Sequence, residues 1–144
     1  MVEYINSGKI PIAIIIRNSF SSKDIQFFSP KYFPQQLGYM KRKKDYIIEP
    51  HFHNKISREI TLTQEVLFIR KGKIRVDLYN EDKIYIESCI LKKGDIVLLA
   101  NGGHGFTMLE ESEIIEVKQG PYLEDKDKEK FDPVDDARII LKNE

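Results

Sequence analysis

The stretch EITLTQEVLFIRKGKIRVDLY, residues 59–79, carries the clearest secondary-structure pattern in the chain. Residues 59–70 are rich in side chains that suit a pleated, half-buried surface. Residues 71–73 have the composition of a tight turn, and residues 74–79 then alternate apolar with polar side chains. The stretch therefore predicts two consecutive strands joined by a turn.

Short strand-like runs separated by turn residues continue on both sides of this stretch. Further strands are predicted at residues 10–17, 25–28, 36–42, 46–49, 84–91, 96–100, 104–109 and 113–119. Before residue 120 no run has the apolar period of an amphipathic helix, so the chain is expected to be an all-β sandwich or barrel. Residues 10–17 are apolar almost throughout, which predicts a strand covered on both faces, by another sheet or by a partner subunit.

The composition of the chain excludes several classes of function. At 144 residues the chain suits one domain with a sizeable core. Lys+Arg and Asp+Glu balance at 23 each, which argues against a general nucleic-acid or anionic-membrane binder. No run is long and apolar enough to cross a bilayer, and the first residues lack the layout of a signal peptide. The single Cys89 excludes an intrachain disulfide and is predicted to be buried. We expect a cytoplasmic protein that binds neither nucleic acid nor membrane.

The last part of the chain differs in character from the rest. Residues 124–130 are almost wholly charged, which is typical of a short helix or a mobile tail. The apolar residues 139–141 could dock on the β domain or on a second subunit. The sequence is therefore divided into a β domain at residues 1–123, which includes the N-terminal strand, and a charged C-terminal extension at residues 124–144.

All three histidines of the chain lie in two short motifs, His51-Phe52-His53 and Gly102-Gly103-His104. Alternate residues of a strand point to the same side, so His51 and His53 are expected to project together. Inward positions of different strands meet inside a barrel, which could bring in His104 and Glu65. Three imidazoles and one carboxylate suit a divalent first-row ion, namely iron, manganese, nickel, zinc or copper. Each histidine alone is more often a surface or hydrogen-bonded residue, but the joint pattern favours a metal site.

The carboxylate of the predicted metal site has two candidates, Glu65 and Glu59. If Glu65 faces inward, strand parity places Leu67 and Ile69 inward as well. A carboxylate among apolar neighbours needs a partner, and a metal ion could be that partner. Glu59 lies at the edge of a polar loop and is more easily solvated, so Glu65 is preferred.

These motifs resemble those of the cupin superfamily across residues 36–119. The first cupin motif is similar to His51, His53, Glu65 and Gly72, and the second is similar to Gly94-Asp95 followed by Gly102 and His104. The sequence departs from the pattern in several places. The gap between His53 and Glu65 is longer than usual, the second motif is one residue short before His104, and Asp45, Ala100 and Met108 replace the customary Gly, Pro and Asn.

The resemblance implies a double-stranded β-helix barrel of the cupin or jelly-roll type, with one divalent transition metal held near one mouth by His51, His53, Glu65 and His104. It also implies a homodimer, in which residues 10–16 would form the contact. Four further residues are weaker candidates for binding a substrate: Tyr39, Arg58, Glu116 and Lys118.

Three hypotheses for function follow from the resemblance and the residues. The first is a metal-dependent enzyme that oxygenates, isomerises or cleaves a small polar molecule, of a carbohydrate-related class by analogy. The second is a non-catalytic module that binds a metal or a small ligand. The third is a metal-free sugar epimerase or isomerase, in which a histidine is the general base and a tyrosine the acid.

Overall fold

The regular secondary structure of the described chain is β-strand apart from two single-turn 3-10 helices, which confirms the predicted all-β class. The computed structural model describes residues 1–142, apart from the side chain of Asp125. Its ten strands are β1 Val2–Ser7, β2 Ile10–Ile16, β3 Gln26–Phe27, β4 Gly38–Tyr39, β5 Glu65–Lys71, β6 Lys73–Tyr79, β7 Tyr85–Lys92, β8 Ile96–Leu99, β9 Gly103–Met108 and β10 Glu113–Lys118. Two single-turn 3-10 helices, Glu124–Lys126 and Asp136–Arg138, follow the strands. Within residues 1–142, no helix has the length and apolar character that crossing a membrane requires.

The strands form two principal antiparallel sheets and a small third one. A five-stranded sheet has the order β1-β2-β8-β5-β10, a three-stranded sheet has the order β7-β6-β9, and β3 pairs only with β4. In the described part of the chain, neither principal sheet closes on itself. The architecture is therefore an open pair of sheets, with hydrogen bonds running within each sheet.

The main hydrophobic core lies between the two principal sheets. Leu67 and Ile69 of the five-stranded sheet belong to the same buried cluster as Val76 and Leu91 of the three-stranded sheet. Alternate residues of each strand point to the same face. The apolar positions of the alternating pattern in both sheets therefore face this shared core. Cys89 is part of this core, as predicted, and burial raises the pKa of its thiol to about 12. The thiol therefore stays protonated at neutral pH.

A second hydrophobic layer covers the other face of the five-stranded sheet. Phe33 and Leu37, from the segment between β2 and β4, pack with Ile14, Ile16 and Leu98. This confirms that β2 is buried on both faces, and the cover on the second face comes from the same chain. The predicted homodimer contact through this strand is not tested by this arrangement and stays a prediction.

Three strand predictions were wrong in position or extent, and one strand was not predicted. Residues 46–49 form no strand, the strand predicted at 36–42 is reduced to Gly38–Tyr39, and the one predicted at 59–70 begins only at Glu65. β1 was missed altogether. Residues 46–49 have the right side chains but are exposed and have no neighbouring strand to satisfy their backbone groups. β1 forms because β2 offers it such a neighbour.

The chain passes from one principal sheet to the other at Gly72, the single residue between β5 and β6. Its φ of +83° lies in the left-handed region, and a Cβ at this position would overlap the Glu111 carbonyl oxygen and the Ser112 Oγ. Gly8 also has a positive φ, +60°, but a Cβ there would meet no atom within 4 Å.

Gly72→Ala is expected to lower the free energy of unfolding by about 3 kcal/mol or more, because backbone strain and steric overlap act together. Gly8→Ala carries the strain alone and is expected to cost roughly 1–2 kcal/mol. Urea unfolding curves of the two variants and the wild type would measure both losses. Equal losses would show that the close contact at Gly72 has no energetic weight.

The C-terminal extension lies across the three-stranded sheet. The Phe131 ring packs edge-to-face on Tyr79 with a centroid distance of 4.9 Å. Further along, the Ser88 N–H donates to the Ile140 carbonyl oxygen at 2.8 Å, and Leu141 forms a parallel bridge with Ser88. The described residues of the extension therefore contact the β domain at Phe131 and again at residues 140–141.

Candidate functional site

The structure brings Glu65 and His104 together at one end of the space between the sheets. Glu65 begins β5, and its side chain shares the inward face with the buried Leu67 and Ile69. His104 in β9 is the cross-strand partner of the buried Leu78 in β6, and directly paired residues share one face of a sheet. Both side chains therefore point inward, and His104 Nε2 lies 3.2 Å from Glu65 Oε2.

The surroundings of Glu65 lower the pKa of its carboxyl group, which favours the ionised form. The hydrogen bond from His104 is the largest cause that lowers the Glu65 pKa; burial acts in the opposite direction. The positive charges of Lys118 and Lys128 lower the pKa of Glu65 further, and the net shift is downward. A carboxylate in this state can orient the imidazole and stabilise a positive charge on it.

An open cavity of about 630 Å³ surrounds the Glu65–His104 pair. One side is formed by Gly103, Gly105 and Phe106 of β9, and another by residues 61–63, which precede β5. Residues 127–131 and Pro133 of the C-terminal extension form a third side. The cavity has the size of a small-molecule site and contains a titratable pair.

His51 and His53 lie apart from this cavity. Both are exposed residues of the segment between β4 and β5, in which no strand forms, so the strand expected to aim the two rings is absent. Their ring centroids are 5.4 Å apart, and His51 Nδ1 lies 2.9 Å from the Glu49 carbonyl oxygen.

As placed, the four predicted ligands form two separate pairs. Among residues 1–142, no group of three or more His, Cys, Asp or Glu side chains is arranged to hold a metal ion. The described residues therefore do not fit a metal in this arrangement, and the metal site stays a prediction. The long segment between His53 and Glu65, which sets this chain apart from the cupin pattern, separates the histidine pair from Glu65 along the chain.

The four weaker substrate-binding candidates are distributed differently. Lys118 is the cross-strand partner of Glu65 and lines the cavity. Glu116 shares the face of Lys118, but it is exposed and is not among the lining residues that the structure describes. Tyr39 packs edge-to-face on Phe20, with centroids 5.1 Å apart, away from the cavity. Arg58 is exposed and donates only a long hydrogen bond to the Ile56 carbonyl oxygen, 3.4 Å.

Sequence reasoning missed the side of the cavity that the C-terminal extension supplies. Lys128 and Phe131 line it, but both belong to a segment interpreted as a helix or a tail. A signal was present: Phe131 is an aromatic residue within a run of charged residues. An aromatic side chain in such a run is costly to leave in water and indicates an anchoring point.

No protein-family model, no curated protein and no solved structure matches this chain. The resemblance to the cupin superfamily therefore depends on the motifs alone and stays a prediction.

Proposed function

We propose that the chain is a double-stranded β-helix protein of the cupin type that catalyses proton transfer in a small, polar, carbohydrate-related molecule. The observation that carries this proposal is the Glu65–His104 pair, 3.2 Å between Oε2 and Nε2, inside an open cavity of about 630 Å³. An imidazole oriented by a carboxylate is a common general acid or base, because its charge can change near neutral pH.

The path of the chain supports the proposed fold type. β5 lies in the five-stranded sheet, β6 and β7 in the three-stranded sheet, and β8, β9 and β10 alternate between the two. Repeated antiparallel crossing between two facing sheets is typical of jelly rolls. The inner faces of both sheets then converge on one mouth, where Glu65 and His104 lie.

The geometry gives each residue a role in the proposed reaction. The Glu65 carboxylate accepts the hydrogen bond from His104 Nε2, which leaves Nδ1 with a lone pair. That lone pair takes a proton from the carbon next to a substrate carbonyl, and Glu65 stabilises the imidazolium that results. Lys118, from the strand paired with β5, contributes positive charge close to the oxygen that becomes negative. Returning the proton to a different carbon, or to the opposite face of the same carbon, gives isomerisation or epimerisation.

Hydrogen exchange with solvent tests this proposal whatever the final product is. The protein is incubated in D₂O with aldoses, ketoses, sugar phosphates and nucleotide-linked keto-sugars, and proton NMR follows the signal of the hydrogen next to the carbonyl. We expect at least one of these molecules to exchange that hydrogen for deuterium faster than in buffer. Binding without any exchange would instead support the non-catalytic binding module.

Metal binding is the second candidate function, and the closeness of the His51 and His53 rings favours it. The segment that carries these rings leads directly into Glu65, so a different position of that segment could bring both histidine rings to the Glu65–His104 pair. The ion would be iron, manganese, nickel, zinc or copper, and it would supply Lewis-acid or redox chemistry when bound.

Metal analysis of untagged protein tests the second candidate. We expect about one equivalent of a transition metal after reloading if the four residues form one site, because such a site holds a single ion. His53→Ala would then reduce the metal content, whereas Lys55→Ala, which changes a nearby residue without a ligand role, would not. Less than about a tenth of an equivalent in the wild type would exclude the site, since first-row ions bind imidazole sites tightly.

A further inference from the structure

Residues 127–133 of the C-terminal extension, here called the C-terminal wall, bring charged side chains to the cavity of Glu65 and His104. Asp127, Lys128, Glu129 and Lys130 all line that cavity, together with Phe131 and Pro133. The wall is distant in sequence from the strands that supply the Glu65–His104 pair. Its position therefore depends on specific contacts with the β domain.

Four contacts fix the C-terminal wall and the adjacent Val134 on β6, on β9 and on the turn after β6. The Phe131 ring lies so close to Gly103 that a Cβ at that glycine would be 2.8 Å from Phe131 Cζ. The Val134 N–H donates to the Tyr79 hydroxyl oxygen at 2.9 Å, next to the Phe131–Tyr79 ring contact. Glu129 forms an ion pair with Lys83 at 2.6 Å. The absence of a side chain at Gly103 is what lets the aromatic ring approach.

The carboxylates of the cavity already have partners. Glu65 is bound by His104, Glu129 is bound by Lys83, and Asp127 Oδ2 accepts a hydrogen bond from the Leu123 N–H at 3.1 Å. These contacts satisfy or neutralise much of the negative charge that lines the cavity.

The ammonium groups of the cavity lack such partners. Lys118, Lys128 and Lys130 make no ion pair within 4 Å with any side chain that the structure describes. Lys118 Nζ lies 5.2 Å from the centroid of the Tyr122 ring. Lys118 and Lys128 are both close enough for their charges to act on Glu65. The cavity of the Glu65–His104 pair therefore presents positive charge from two distant parts of the chain.

We propose that the C-terminal wall makes this cavity selective for a small anionic molecule, whose carboxylate or phosphate group is bound by Lys118 and Lys128. This inference rests on the proposed function, because it names the class of molecule on which the Glu65–His104 pair acts. Two ammonium groups from separate elements can bind one anionic group through charge-assisted hydrogen bonds. Phe131 is a positioning residue, since its contacts with Gly103 and Tyr79 place the segment that carries Lys128.

An NMR titration of the full-length, ¹⁵N-labelled protein tests the inference at constant ionic strength. The probes are inorganic phosphate, succinate and, as a neutral reference, glucose. We expect phosphate or succinate to shift the amide signals of Gly103 and Gly105, which line the cavity, in a saturable manner. The Gly8 amide, in the turn between β1 and β2, is expected to stay in place, and glucose is expected to shift none of the three. Saturation by only one of the two anions would identify the anionic group as phosphate or carboxylate.

Variants locate the anion and test the role of the C-terminal wall. Lys118→Gln and Lys128→Gln are each expected to weaken binding of the anion about tenfold or more, as for a lost charge-assisted hydrogen bond. Phe131→Ala keeps every charge but releases the wall, so a comparable loss is expected. Lys126→Gln, an exposed change in the same extension, is the matched control and should bind as the wild type does.

Several results would overturn the inference. The first is that neither anion shifts the Gly103 and Gly105 signals, and the second is that glucose shifts them equally. The third is that a folded Lys128→Gln variant binds the anion with wild-type affinity. Its failure is distinguishable from failure of the proposed function. Anion binding without deuterium exchange in any anionic sugar would reject only proton transfer, whereas His104-dependent exchange in a neutral sugar without anion binding would reject only the anionic ligand.

Discussion

Replacing His104 with Asn is expected to slow deuterium exchange into the substrate about 10²- to 10⁴-fold, because general acid–base catalysis contributes an acceleration of that size. Asn keeps a polar side chain at the cavity but cannot accept and return a proton near neutral pH. The measurement is the initial rate of signal loss in proton NMR, at equal protein concentration, for a sugar that the wild type exchanges. His104 is only partly buried, so the folded state should survive, and circular dichroism would verify this.

Two further variants make the His104 result specific. Thr107→Asn introduces the same side chain at an exposed position of the same strand and is expected to exchange at the wild-type rate. Glu65→Gln keeps an oxygen that can accept the hydrogen bond but removes the charge that stabilises the imidazolium, so a smaller reduction is expected. Wild-type exchange in His104→Asn would exclude His104 as the base. Loss of exchange in His53→Ala would favour the metal-binding candidate instead.

Replacing Arg17 with Met is expected to lower the free energy of unfolding by about 3–5 kcal/mol, the usual cost of removing one partner from a buried ion pair. The Arg17 guanidinium joins Glu3 of β1 to Asp95 before β8, with N–O distances of 2.5 and 3.0 Å. Both carboxylate side chains are more than nine-tenths buried, at 4% and 7% exposure. Met fills a similar volume but would leave two carboxylates in a poorly solvated place without their cation. Urea unfolding followed by circular dichroism measures the loss.

Arg70→Met is the matched control for Arg17→Met. Arg70 pairs with Glu113 at 3.4 Å, but the two side chains are 67% and 51% exposed. Exposed pairs contribute about 0–1 kcal/mol, since water and salt screen them. Similar losses in the two variants would show that burial of the Arg17 cluster has no energetic consequence.

The strands from β5 onward could be predicted because their signals are local. Gly72 marks the turn between β5 and β6, and the alternation of residues 74–79 places one face of β6 in the core. The parity argument linked Glu65 to Leu67 and Ile69 on one face, and in the structure all three are buried. Proximity of Glu65 to His104 then requires only that two strands from facing sheets end at the same mouth.

The other features of the fold and the site could not be predicted, because they depend on contacts between residues far apart in the sequence. The residues around His51 have the composition of a strand, but no neighbouring backbone is available to pair with them. β1 carries the charged Glu3 at a buried position, where it pairs with Arg17. A charged residue at this position hides the apolar pattern that would identify β1 from the sequence. Lys128 reaches the cavity on a segment that contacts distant residues, such as Tyr79 through Phe131. Each of these outcomes is decided by tertiary contact, which outweighs local propensity.

The second hydrophobic layer has a consequence for how the protein behaves in concentrated solution. Phe33 and Leu37 shield the outer surface of Ile14, Ile16 and Leu98, while the inner core is built from other residues. If this short segment detached, the inner core would stay in place, but the apolar outer face of the five-stranded sheet would become exposed to solvent. Surfaces of that kind promote self-association. We therefore expect this segment to limit self-association of the folded chain, in addition to its contribution to packing.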